Sequence, residues 1–376
     1  MSSIGARSRL PVRPGLLSCI CDGIAGAPAN DNGGRPLGML GLASGFAFAV
    51  LGQTVASAAL PLAGLMLAPR EALATWPFAA LMLGATLASF PAAFLRDAFG
   101  RRAGFALGAS LGLAGGLMLA VGLLHRQFAF ACIGGLWLGM AQGFSFFYRH
   151  EAAAASARPG AASAGVLAGG LLAALAGPAL ARAAEALVAP YFLVGAALLA
   201  ACAHLAALAV AVRLAPDPVS AGEQSEPAPV RAILLPSLAA GLAWASMSLL
   251  MGGSPLKLVD CGISESATFG FIALHVFAMY APAVPLMWVA RHVSAPALAG
   301  AGVGLSGLAI VMAVASREPS VLAAALVMSG AGWCTATVGA TAWLRAAGSP
   351  GRLGLALHDF TLFACALLGA QAAAFL

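Results

Sequence analysis

The chain has 376 residues, of which 61% are hydrophobic and 9% charged, with a formal net charge of +6. Soluble domains carry about 25% charged residues, so there is too little polar surface here to coat a water-soluble globule. A soluble enzyme, a nucleic-acid binder and a disulfide scaffold are excluded, the last also because four of the seven cysteines (Cys132, Cys202, Cys334 and Cys365) lie inside apolar runs.

Residues 1–36 hold Arg7, Arg9, Arg13 and Arg35, and the apolar stretch before Cys19 is broken by Pro14-Gly15. That stretch is too short for a secretory signal, so this segment is expected to be a cytoplasmic disordered tail. Cys19-Ile20-Cys21 within it reads either as a soft-metal hand-off or as two incidental thiols. About 20 apolar residues cross a bilayer as a helix. Windows bounded by charge, Pro or polar clusters give spans at 37–62, 75–95, 103–124, 128–148, 161–181, 189–212, 232–254, 267–289, 295–315, 319–344 and 354–376. The expected fold is thus an all-α polytopic membrane protein with eleven detectable transmembrane helices. A six-helix bundle (37–212) and a cytoplasmic linker (213–231, with Pro216, Pro218, Pro227, Pro229, Glu223 and Glu226) precede a C-terminal bundle (232–376) lacking a twelfth span. With the N-terminus inside, cytoplasmic segments hold fourteen arginines and the opposite side only Arg70, Arg126, Arg182, Lys257 and Arg317, a positive-inside bias. Six spans, a linker and a second block is the layout of a two-halved secondary transporter with its substrate near the midplane. The absence of a Walker phosphate loop argues against ATP as the energy source.

Between the second and third spans lies Arg96-Asp97-Ala98-Phe99-Gly100-Arg101-Arg102. Gly100 permits a tight turn, and Asp97 can pair with arginines or cap a helix end. The loop resembles the G-x-x-x-D-x-x-G-R-R/K signature of the major facilitator superfamily, with Ala93 in place of its first Gly. The resemblance implies a two-bundle transporter working by alternating access, with Asp97, Gly100, Arg101 and Arg102 as a gating motif.

In the seventh and eighth spans, Met247 and Met251 are spaced i, i+4, as are His275 and Met279, so each pair shares a helical face. Counted from the short exterior loop between the spans, the four fall at similar depth. Thioethers favour Cu(I), and imidazole binds copper in either oxidation state. Neutral ligands also avoid the cost of a buried carboxylate. The same residues read equally as apolar filler. The two pairs resemble those of the CcoA-like copper importers, bacterial inner-membrane proteins that supply copper for cytochrome c oxidase assembly. Phe147 to Ala154, Val166 to Gly170, Gly177-Pro178, Gly332-Trp333 and Asp359-Phe360 resemble the same branch. The branch also contains riboflavin importers, its members have twelve spans, and Cys334 stands here in place of an expected Asn. A thiol there would join a metal path or pack as a small hydrophobe.

Other intramembrane polar groups are Gln53 and Gln142, candidate cavity or interhelical groups, and Asp359, either a coupling group or a partner of Arg345 or Arg352. Tyr148, Arg149 and Glu151 are placed for a cytoplasmic gate, and His204 reads as a packed histidine. The expected function is secondary-active copper import, with copper as substrate and no organic cofactor. The alternative is import of riboflavin or a similar small organic solute, for which Trp244, Trp333, Gln53 and Gln142 would supply ring and amide groups. A third class is a membrane sensor or scaffold. The expected partners are the cargo and the bilayer.

Overall fold

The computed structural model describes residues 38–214, 229–346 and 348–373. The tail with Cys19 and Cys21 and the body of the linker, including Glu223 and Glu226, lie outside them. The described residues form α1 (Met39–Leu67), α2 (Trp76–Leu124), α3 (Phe128–Ala154), α4 (Pro159–Leu187), α5 (Val194–Ala211), α6 (Val230–Asp260), α7 (Glu265–Tyr280), α8 (Ala283–Val289), α9 (Ala295–Ala315), α10 (Pro319–Ala346) and α11 (Gly351–Ala372). Helices are the natural outcome for these sequences, because a chain in lipid must satisfy its peptide groups within each segment. Ten helical stretches are long and apolar enough to cross a membrane.

One of those ten is a pair. The α2 backbone is non-helical at Gly100, where φ is 82° and ψ 166°, a region essentially reserved for glycine. Pro77, Leu81 and Ala85 of the first leg lie against Gly135, Gly139 and Gly143 of α3, running parallel to it. Gly108, Gly115 and Gly122 of the second leg meet Phe144, Leu138 and Ala131, running antiparallel. The chain therefore doubles back at Gly100, and the two legs correspond to the expected spans 75–95 and 103–124. Conversely, the expected span 267–289 is divided into α7 and α8 by a turn at Ala281-Pro282, where proline cannot donate the helical hydrogen bond.

Successive crossings alternate in direction, so the start of α1, the Gly100 turn, the α3–α4 turn and the α10–α11 turn share one end. Ten described arginines lie toward that end (Arg96, Arg101, Arg102, Arg149, Arg158, Arg213, Arg231, Arg291, Arg345 and Arg352), which we call the basic end.

The helices pack as two groups, α1–α5 and α6–α11. Glycines line the seams within each group. Gly139 against the Leu81 carbonyl, Gly116 against Ala197 and Ala201, and Gly302 against Ala336 leave no room for a Cβ. One cap has no counterpart among the sequence expectations: both carboxylate oxygens of Glu185 accept backbone N–H groups at the start of α5, from Leu193 (2.9 Å) and Ala196 (2.6 Å). A carboxylate there also complements the helix dipole.

Candidate functional site

Two layers of side chains join the groups. The first is aromatic and centres on Phe146 of α3. Its ring lies 5.6 Å from Phe46 of α1, 4.9 Å from Trp244 of α6, 6.1 Å from Trp333 of α10 and 5.6 Å from Phe363 of α11. Tyr280, at the end of α7, closes the ring system against Phe46 at 6.2 Å and Trp333 at 5.6 Å. Most of these pairs are edge-to-face, the arrangement that ring quadrupoles favour. Trp244 donates its indole N–H to Thr337 at 3.1 Å, whereas the buried Trp333 Nε1 has no hydrogen-bond partner. One turn away from the basic end, Gln53 Nε2 donates to Gln142 Oε1 at 3.0 Å, which leaves the buried Gln53 Oε1 without a partner. The layer thus offers ring faces with one spare donor and one spare acceptor.

The second layer lies one turn toward the basic end and is charged. Arg149 and Asp359 are fully buried and pair at 2.5 Å. Arg149 also donates to Thr341 Oγ1 (3.2 Å) and to the Phe146 carbonyl (2.8 Å). Asp359 Oδ1 accepts a second bond, from His150 Nε2 at 3.0 Å. His358 Nδ1 lies 2.9 Å from Ser237 Oγ, whose hydroxyl donates to the Ile233 carbonyl at 2.6 Å. Around this core, Glu151 pairs with Arg96 (2.5 and 3.1 Å), Arg345 donates to the His150 carbonyl (3.3 Å), and Asp97 meets Arg352 at 3.4 Å on the surface. Arg102 donates to the Leu214 carbonyl. Asp359 therefore pairs with neither Arg345 nor Arg352, the partners expected from the sequence. It faces α3 across the seam between the groups, while those two arginines reach the His150 backbone and Asp97. Tyr148, expected at the gate, instead stacks on Phe105 at 3.7 Å inside the first group.

The residues singled out for a metal are brought to one region. Met247, Met279 and Cys334 are buried in the same apolar core as the aromatic layer, and Met251 packs against it. The depth along α10 is set by Trp244 opposite Thr337 and by His275 opposite Leu326, with the Met279 backbone against Gly330. On that scale Met247, Met251, His275 and Met279 fall within about two helical turns of 5.4 Å. His275 holds its Nδ1 at 2.7 Å from the Leu326 carbonyl, which makes Nδ1 the protonated nitrogen and leaves the buried Nε2 as an unshared lone pair. A second potential metal group is His150, His358 and Asp359, whose ligand atoms lie within 4.8 Å of one another. His204 is buried with both ring nitrogens unpartnered, wedged between Gly52 and Gly112.

Sequence reasoning missed Phe46, Phe146, Tyr280 and Phe363 as one cluster, and Ser237 and Thr341 as partners of the charged layer. Single aromatics in apolar helices carry no spacing signal, so only the packing reveals them.

No protein-family model matches the chain. It is 31% identical over 324 residues, 81% of either chain, to the riboflavin transporter RfnT of Brucella anthropi. Among solved structures it is similar to a bacterial homologue of the iron transporter ferroportin in an outward-facing state (TM-score 0.62, 17% identity, 90% of this chain and 92% of that one). It is also similar to the Escherichia coli fucose:proton symporter (TM-score 0.63, 13% identity, 89% of each chain). Those structures share the fold, and the higher identity to RfnT carries the relationship. The chain is a transporter of the major facilitator superfamily and belongs to the family of RfnT.

Proposed function

We propose that this protein imports a flat, polar-edged heteroaromatic solute of the riboflavin class by alternating access, with its basic end in the cytoplasm of a bacterium and its membrane the inner one. The observation that carries this reading is the aromatic layer around Phe146, built from both helix groups. Rocking of one group against the other parts Phe46 and Phe146 from Trp244, Tyr280, Trp333 and Phe363, and a planar ring system can take the place of one face. The unpartnered Trp333 Nε1 and Gln53 Oε1 match a cargo edge that carries both an acceptor and a donor. The identity to RfnT supports the same cargo class. The test is growth of a riboflavin auxotroph on limiting vitamin, with riboflavin counterflow in proteoliposomes. Trp333→Phe keeps a ring and removes the donor, so half-saturation should rise about two- to tenfold, the worth of one hydrogen bond. Absence of counterflow by the unaltered protein refutes the reading.

A second reading, copper as substrate held by Met247, Met251, His275 and Met279, is favoured by one observation. His275 presents a buried lone pair at Nε2 while its Nδ1–H is held by a backbone carbonyl, the usual support of a metal-ligating imidazole. In this reading Cys334 continues the path. Copper accumulation that is lost in both Met251→Ala and His275→Ala, at unchanged protein level, supports it; uptake unaffected by either removes it.

A further inference from the structure

We infer that the buried Arg149–Asp359 pair is a latch between the two helix groups worked by a proton, received by the cluster of Asp359, His150 and His358, so that cargo entry is coupled to proton entry. Ser237 has one hydroxyl hydrogen and places it on the Ile233 carbonyl. The hydrogen in the Ser237–His358 contact must therefore come from His358 Nδ1, which leaves His358 Nε2 bare. His150 donates its Nε2–H to Asp359, which leaves Nδ1 bare. Asp359 spends Oδ1 on Arg149 and His150 and leaves Oδ2 bare. All three bare atoms are buried and without a partner. Three acceptors with no donor among them form a hydrogen-deficient group, and unsatisfied buried acceptors are costly.

The surroundings select the species that fills it. From α3 the group is faced by Arg149, His150 and Glu151, from α2 by Arg96, and from α10 by Arg345 and Thr341, while α6 contributes Ser237. The guanidinium of Arg149 on the same carboxylate opposes a divalent ion. Hard cations such as calcium and magnesium take six or more oxygen ligands, and two of the three bare atoms here are imidazole nitrogens. A proton needs one lone pair.

Arg149 and His150 belong to one helix group, and Asp359 and His358 to the other, so opening the basic end separates the carboxylate from its cation. A proton arriving on Asp359 Oδ2 turns the carboxylate into a neutral acid and removes the charge that holds Arg149. Arg149 keeps its own-helix bond to the Phe146 carbonyl and the groups part. The proton leaves to water at the open basic end, and the ionised Asp359 pairs with Arg149 again on closing. One proton enters per cycle and none is consumed.

The cargo and direction rest on the riboflavin reading, whereas the latch does not, and the test separates them. Spin labels at Ala157→Cys in the α3–α4 turn and Ser349→Cys in the α10–α11 turn, both exposed, report the opening of the basic end in a cysteine-replaced chain in liposomes without cargo. Between about pH 8 and about pH 5 the long-distance population should rise. Asp359→Asn should hold the mixture constant across that range, and His358→Gln should displace its midpoint. In proteoliposomes with the potential clamped, an inward gradient of one pH unit should drive riboflavin accumulation of up to about tenfold. Both variants should retain counterflow yet accumulate nothing beyond equilibration. Label distances that ignore pH in the unaltered protein overturn the latch, as does micromolar zinc closing the labels in a His150- and His358-dependent manner without any pH effect. Absence of riboflavin counterflow together with pH-dependent distances overturns the cargo reading and leaves the latch standing.

Discussion

Cutting one side of the Arg149–Asp359 pair should be far more damaging than removing both. In Arg149→Met the carboxylate of Asp359, with no exposed side-chain surface, loses its charged partner at 2.5 Å and keeps a single bond, from His150 at 3.0 Å. Breaking a buried ion pair by deleting one member costs about 3–5 kcal/mol, because the other charge is left uncompensated in a poorly polarisable site. The full figure applies, since both side chains are completely buried and solvent screens neither. Asp359→Leu should cost a similar amount, as it strands the guanidinium with only Thr341 and the Phe146 carbonyl. In the double variant no net charge remains, and apolar replacement of a whole buried pair is close to neutral. The stability of all four proteins, followed as the midpoint of denaturant-driven unfolding in mixed micelles, closes a double-mutant cycle. The double variant should be more stable than either single one, with an interaction energy at the upper end of about 0.5–3 kcal/mol. Single variants within about 1 kcal/mol of the parent, or losses that simply add, would refute this account of the pair.

The surface pair Asp97–Arg352 provides the contrast: at 3.4 Å, with both side chains half exposed, Arg352→Ala should change the same midpoint by no more than about 1 kcal/mol. Gly100→Ala forces a Cβ into a backbone region it cannot occupy (φ 82°, ψ 166°), so a loss of about 1–3 kcal/mol is expected, together with slowed counterflow if the turn moves during the cycle. Gly139→Leu has no space against the Leu81 carbonyl and should abolish folded protein, read as loss of the monodisperse peak in size-exclusion chromatography.

The crossings were legible because the bilayer imposes one rule on every segment, and the breaks at Arg96–Arg102 and Leu187–Val194 stand out as polar or turn-forming. Gly100 was legible as a turn because its flanks are charged on both sides. The split at Ala281-Pro282 was not, since the residues around Pro282 are as apolar as those in the helix on either side. The charged layer was legible residue by residue but not in its pairing: Arg149 and Asp359 are 210 positions apart, and nothing local distinguishes Arg149 from Arg345 or Arg352 as a partner for Asp359. The aromatic layer was least visible, since Phe146 reads like any other Phe until α1, α6, α10 and α11 are brought around it.

The glycine seams bear on how such a transporter tolerates change. Within each helix group, backbone meets backbone at Gly139, Gly116 and Gly302, whereas the contacts between the groups described above are made largely by side chains that can separate and meet again. A deep mutational scan should therefore light up two unlike populations. Enlarging a seam glycine should eliminate the protein from the membrane whatever the cargo supplied, and substitutions in the inter-group layers should leave abundance intact while changing what is carried, or how steeply. Abundance and uptake measured side by side would thus sort scaffold from machinery for any cargo that the protein accepts.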